Sequence, residues 1–328
     1  MPGDQRYTFQ PAWWIRGGHA QTLWGKFFRR RSTLPVRRER WDTPDGDFVD
    51  VYRLDADRTD APRLVFFHGL EGTIRSHYVF GFFNEARRRG WGADLLIFRG
   101  CGDEPNRTFR FYHSGETTDP AFVIDRVRAE HPNSPILLAG VSLGGNVLLK
   151  YLGEQGTALS QQIRAAAAVS VPFDLERSCR HISLGFAKIY DRHFLRTLRQ
   201  KALTKLARHP GLFDRSALDR AVSIYDFDDA VTAPVHGFAS AHDYYWRSSA
   251  LGFLATIARP TLLLNAVDDP FLPSSILDTV RGVAKHNSYL TLEFPAHGGH
   301  VGFIGGRLPW RPDYYAERRV CEFLAAAL

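Results

Sequence analysis

The chain has 328 residues, 44% of them hydrophobic, and a net charge of +7. Such a length suits one large core, or one core with an insertion, and no apolar run is long enough to span a bilayer. Three widely spaced cysteines, Cys101, Cys179 and Cys321, suggest a reducing compartment and no disulfide framework.

The charge is uneven. Residues 1–40 hold nine basic and two acidic side chains, and residues 175–220 hold eleven and four. Each segment is therefore +7 and the remainder is −7, which suggests contact with something anionic. No nucleic-acid motif accompanies the charge, so an acidic substrate or anionic lipid fits better than nucleic acid. The N-terminal arm mixes Trp13, Trp14, Ile15, Trp24, Phe27 and Phe28 with Arg16, Lys26 and Arg29-Arg30-Arg31. Tryptophan beside arginine suits a lipid–water interface. The polar Gly17-Gly18-His19 and Gln21-Thr22 segments break any long amphipathic helix, and they favour an arm folded back onto the body.

Arg40 to Thr43 and Phe48 to Leu54, joined around Pro44-Asp45-Gly46, read as a hairpin. Strand 63–67 follows and runs into His68-Gly69-Leu70-Glu71-Gly72. A His-Gly turn after an early strand is where a serine hydrolase places one oxyanion donor, here the N–H of Leu70. His68 itself reads as a buried structural histidine. Helix 75–89, strand 91–98, a Gly/Asn/Pro-rich loop and helix 119–130 come next. Strand 135–140 then leads into Gly140-Val141-Ser142-Leu143-Gly144, and helix 143–153 follows. Gly-x-Ser-x-Gly between a strand and a helix is a nucleophile elbow, with Ser142 as nucleophile and the N–H of Leu143 as the second oxyanion donor. Alternating strands and helices imply a mostly parallel sheet covered on both faces.

After strand 165–171 the alternation stops. Residues 173–251 carry helical patterns such as Leu195, Leu198, Leu203 and Leu206, and they read as a helical cap over the site. The core is then 1–172, including the arm at 1–40, together with 252–328. Strand 260–265 resumes it and runs into Asp268-Asp269. Strand 288–294 runs into His297-Gly298-Gly299-His300. An acid and a base after the serine, in that order, complete a triad. Asp269 is preferred to Asp268, and His300 to His297. Reading the two histidines as metal ligands is weak, because no cysteine or third histidine lies near with zinc-like spacing. A final helix over 313–328 covers the sheet with Ala316, Val320, Phe323, Leu324 and Ala327.

These residues resemble the YheT-like branch of the α/β-hydrolases, found in bacteria, plants and animals. The match includes Gly18-His19-Ala20-Gln21-Thr22, the 68–72 turn, Phe98-Arg99-Gly100-Cys101-Gly102, Tyr112-His113-Ser114-Gly115 and Ser142 to Asn146. It continues through Asp228, Gly237-Phe238, Asp243-Tyr244-Tyr245, Ser249, Ile257, Pro260, Asp268-Asp269 and His297 to Phe303. The resemblance implies an α/β-hydrolase fold, a Ser142–Asp269–His300 triad, and esterase or lipase activity on acyl esters. Some relatives act on membrane lipids or transfer acyl groups to alcohols.

The expected protein is therefore a cofactor-independent serine esterase acting on a small acyl ester. Acyl transfer, lipid cleavage and non-catalytic binding stand as alternatives. The first residues lack the pattern of a secretory signal. The expected location is the cytoplasm, with peripheral inner-membrane contact as an alternative.

Overall fold

The computed structural model describes residues 9–29 and 33–328. Arg30 and Arg31 of the basic run lie outside the described residues. In chain order the elements are α1 (Gly18–Phe28), β1 (Val36–Asp42), β2 (Phe48–Leu54), β3 (Arg63–Phe67), α2 (Val79–Arg88), β4 (Gly92–Ile97), α3 (Thr118–Glu130), β5 (Ile136–Val141), α4 (Leu143–Gln155) and β6 (Ile163–Val169). Six helices follow before the next strand: α5 (Leu175–Ile182), α6 (Lys188–Arg208), α7 (Arg215–Arg220), α8 (Ile224–Phe227), α9 (Ala233–His236) and α10 (Ala241–Ser248). The chain ends with β7 (Thr261–Leu264), α11 (Ser275–Ala284), β8 (Leu290–Glu293), β9 (Ile304–Leu308), β10 (Arg311–Tyr314) and α12 (Tyr315–Ala325). Among the described residues no helix is long and apolar enough to cross a membrane.

Eight strands form one sheet in the order β1-β2-β4-β3-β5-β6-β7-β8. The β1–β2 and β2–β4 pairs are antiparallel, and every later pair is parallel. The parallel strands β3, β4 and β5 are buried along their whole length, as strands covered on both faces must be. Phe66 of β3 packs on Phe82 of α2 at 4.7 Å between ring centroids.

Register sets the working edge of the sheet. Phe67 stands beside Gly140, and Val141, Val169, Leu264 and Glu293 form one row across β5 to β8. Leu70, Ser142, Asp269 and His300 lie on the loops or turns that leave β3, β5, β7 and β8 at that edge. Parallel pairing alone thus delivers four chain-distant segments to one edge.

The arm folds back onto the body. Ile15 is buried, and Trp14 and Trp24 pack with it against Ile304 and Tyr314. Trp13 and Trp14 donate their indole N–H groups to the carbonyls of Arg307 and Gly306 at 3.0 and 3.1 Å. Trp13, Phe27 and Phe28 remain exposed. The arm does contain one short helix, α1, which runs through Gly18-His19 and the Gln-Thr segment. Its glycines permit close approach: a Cβ at Gly18 would lie 2.0 Å from the Asp268 carbonyl oxygen, and one at Gly25 would lie 2.4 Å from His77 Nδ1.

Candidate active site

Ser142 links β5 to α4 with a left-handed φ of 55°, which a non-glycine residue adopts only under constraint. Its N–H donates to the Val169 carbonyl at 2.8 Å, and its carbonyl accepts from Asn146 N–H at 3.0 Å. A Cβ at Gly140 would lie 2.4 Å from the Gly144 carbonyl oxygen, so the turn cannot close over a side chain there. Gly144 is constrained from another side. A Cβ there would meet the carbonyl oxygens of Phe67 and His68 at 2.4 Å, at the end of β3.

His300 Nε2 lies 2.9 Å from Ser142 Oγ. Its Nδ1 lies 2.9 and 3.1 Å from the two carboxylate oxygens of Asp269. Asp269 is buried and accepts a further bond from Phe271 N–H at 2.8 Å. The Phe271 ring stacks on the His300 imidazole with centroids 3.9 Å apart. The alternative residues form a separate pair: His297 Nδ1 lies 3.2 Å from Asp268 Oδ2, with the His297 side chain 60% exposed.

The loop carrying His300 is held by the arm. His300 N–H donates to Thr22 Oγ1 at 2.9 Å, and Val301 N–H donates to Ser170 Oγ at 2.9 Å. Gln21 is buried and bonds Ile304 twice, accepting from its N–H at 2.6 Å and donating to its carbonyl at 3.1 Å. Gly299 and Gly302 lie against α1, where a Cβ would meet the Gly18 and Gln21 carbonyl oxygens at 2.3 and 2.5 Å. The Gly18 to Thr22 segment is thus a clamp on the histidine loop. Thr22, Gln21 and Phe271 were not singled out as site residues from sequence. The Gly18 to Thr22 motif was the available signal, yet nothing local says which loop it grips.

Leu70 and Leu143 both face the cavity beside Ser142. Leu143 is the first residue of α4, where a backbone N–H has no acceptor within the helix. The flanking N–H groups of the 69–72 turn are occupied: Gly69 donates to Tyr78 Oη at 2.8 Å and Glu71 to Tyr112 Oη at 2.9 Å. His68 is fully buried. Its Nδ1 bonds the Gly69 carbonyl at 2.7 Å, and its Nε2 accepts from Phe98 N–H at 3.1 Å. These partners require the neutral Nδ1–H tautomer, and burial holds its pKa down to about 4. His68 therefore shapes the turn.

A cavity of about 530 Å³ opens over Ser142. The helical segment between β6 and β7 supplies much of its wall, including Leu175, Ile182, Tyr190, Phe194, Leu198 and Ile224. Lys26, Arg29 and Arg75 also line it. The arrangement offers a serine hydroxyl within hydrogen-bond reach of an imidazole, and an apolar chamber beside it.

Residues 62–306 match the family model for the alpha/beta hydrolase fold. The chain is 40% identical over 314 residues to YheT of Escherichia coli (strain K12), named as a candidate esterase, covering 94% of this chain and 91% of YheT. It is 30% identical over 330 residues to phospholipase ABHD3 of Homo sapiens, covering 97% of this chain and 79% of that protein. The Pyrococcus furiosus esterase Pf2001 shares the fold, with a TM-score of 0.57 at 16% identity over 91% of this chain and 97% of that one.

Proposed function

The chain belongs to the YheT-like branch of the α/β-hydrolases, and on that premise we propose that it is a serine hydrolase of carboxylic esters. The observation that carries the reading is the continuous line from Asp269 through His300 to Ser142 Oγ, with both bonds at 2.9 Å. Ser142 Oγ attacks the ester carbonyl while His300 Nε2 takes its proton. Asp269 orients His300 and stabilises the imidazolium. Leu70 and Leu143 N–H groups receive the oxyanion. The carbonyl re-forms as the C–O bond to the alcohol breaks, and His300 returns the proton to the departing oxygen. Water, deprotonated by His300, then releases the acid and restores Ser142. No cofactor enters these steps. Residues 173–251 act as a cap that excludes water and takes the acyl chain against its apolar wall. Ser142→Ala is expected to lower turnover of a short-chain nitrophenyl ester by at least about 10³-fold with the fold intact. Unchanged hydrolysis, or failure of a fluorophosphonate to label Ser142, would sink the reading. Acyl transfer uses the same groups, and ester synthesis exceeding hydrolysis when an alcohol is added would identify it.

A second reading narrows the substrate to a membrane lipid ester. It is favoured by Lys26, Arg29 and Arg75 sharing the cavity with apolar side chains. Exposed apolar residues also stand beside it: Phe27 and Phe28 on α1, Leu184 and Phe186 just before α6, and Ile189 in its first turn. His19 of α1 contacts the Phe186 ring with centroids 4.7 Å apart. Such a rim would dock peripherally, each nearby cation adding about 1 kcal/mol toward an anionic surface. The cytoplasmic side of a membrane is the location this implies. Sedimentation at low salt is expected to recover more protein with anionic than with neutral vesicles, and the difference should vanish at high salt. Equal recovery in both supernatants would leave an esterase of water-dispersed substrates.

A further inference from the structure

The 69–72 turn carries more restraint than its backbone needs. Glu71 adopts a left-handed φ of 57°, which persists only where neighbours over-determine it. Tyr112 Oη accepts from its N–H at 2.9 Å and donates to its Oε1 at 2.8 Å, closing a ring around one residue. Lys201 Nζ donates to the same Oε1 at 2.8 Å. The Glu71 side chain is only 10% exposed. Lys201 comes from α6, in the segment between β6 and β7. Lys201, Lys205 and Arg208 share one helical face of α6, with Lys205 buried, Lys201 half-buried and Arg208 exposed. Lys205 donates to the Asn106 and Thr108 carbonyls at 3.2 and 2.6 Å, and Arg208 to the Pro105 carbonyl at 3.4 Å. Of these three cations, Lys201 alone bonds the turn beside Ser142.

We propose that Glu71 and Lys201 are positioning residues that fix the Leu70 N–H, so that the oxyanion site is complete only while Lys201 of α6 holds the Glu71 carboxylate. The proposal rests on the esterase reading above. Without Lys201, a mostly buried carboxylate keeps only a hydroxyl partner, and it relieves its desolvation by turning toward water. That movement withdraws the acceptor of Tyr112 and loosens the Leu70–Glu71 peptide, which frees Leu70 to rotate and moves the N–H on its Gly69 side. An oxyanion donor acts mainly once charge has moved onto the substrate oxygen. Its misplacement therefore lowers kcat and leaves KM nearly unchanged.

The test measures kcat and KM on a nitrophenyl ester for Lys201→Met, Glu71→Gln, Lys201→Arg and Lys205→Met. Losing a whole oxyanion donor costs about 10²–10³-fold in kcat. Lys201→Met and Glu71→Gln, which loosen one, are expected to lose about 10- to 100-fold. Lys201→Arg should recover most of that loss. Lys205→Met removes a neighbouring tether that does not reach the turn, and it should keep kcat. An equal loss in Lys205→Met would mean that general seating of α6 is what matters, and would overturn the proposal. So would a raised KM with intact kcat in Lys201→Met. The rate of fluorophosphonate labelling of Ser142 gives a second readout, because the phosphoryl oxygen uses the same donors. Absence of any Ser142-dependent turnover in the unsubstituted protein would instead strike the esterase reading. Labelling rates would then still rank the variants.

Discussion

Two aspartates stand side by side at 268 and 269, and two histidines stand three residues apart at 297 and 300. Burial separates their roles. The Asp269 side chain is shut off from solvent and that of His300 is 8% exposed, whereas Asp268 and His297 are 22% and 60% exposed. A carboxylate stabilises an imidazolium far more where water cannot screen the pair. The inner pair also reaches Ser142, and the outer one does not. His300→Ala is therefore expected to lose at least about 10³-fold in kcat/KM, while His297→Ala stays within about tenfold. Asp268 has a supporting task, since its Oδ1 accepts from Gly299 N–H at 2.8 Å inside the histidine loop. Ester kinetics on the two histidine variants decide the matter, and the reverse ranking would exchange the assignments. In sequence the preference for Asp269 and His300 rested on loop position. The physical basis, burial of one pair and exposure of the other, was not legible, because adjacent residues on a loop carry no periodicity.

At the scale of elements, legibility followed the strength of the local pattern. Strands β3 to β8 are short apolar runs, and each begins within three residues of its expected start. Helix α2 starts at Val79 and not near 75, since 73–78 is a run of turns ended by Ser76 and Tyr78 contacts. Helix α12 begins at Tyr315, because Arg311–Tyr314 pairs with β9 as a strand. Gly305, Gly306 and Pro312 hide that hairpin in the sequence. Helix α1 was hidden for the opposite reason. Glycine lowers helix propensity, yet Gly18 and Gly25 sit in α1 because the neighbouring chain passes too close for a side chain. The leucine pattern of α6 was legible: Leu195 and Leu198 are buried, with Leu203 and Leu206 packed against the same cluster. Its charges divide in a way the sequence does not show: Lys201 and Lys205 bond the core, whereas Arg208 stays exposed.

The whole molecule contains several imidazoles that folding shuts away from water. Burial depresses the pKa of His68 to about 4, of His77 to about 3 and of His236 to about 4. In the unfolded chain each would titrate near 6.5. Between these values the unfolded state binds protons that the native state refuses, so stability rises with pH across the window. It is fully present above about 6.5 and is lost as pH falls toward 4. Each fully titrating group contributes a slope of about 1.4 kcal/mol per pH unit. Asp228 works the other way. Its burial raises the carboxyl pKa to about 6, so the native state takes up a proton there as pH falls and recovers part of the loss. His113, lowered by burial to about 3, joins the other three imidazoles, and burial also raises the Asp119 and Glu317 carboxyls. Four depressed imidazoles outweigh these carboxyls, and acid sensitivity should therefore appear well above the range in which surface carboxylates titrate. Unfolding free energies from urea melts are expected to fall from pH 7 to pH 5. The fall should be shallower in His236→Leu, which removes one buried imidazole whose Nε2 has no hydrogen-bond partner. A free energy flat between pH 7 and pH 5, or a slope unchanged in that variant, would show that these imidazoles do not govern acid stability.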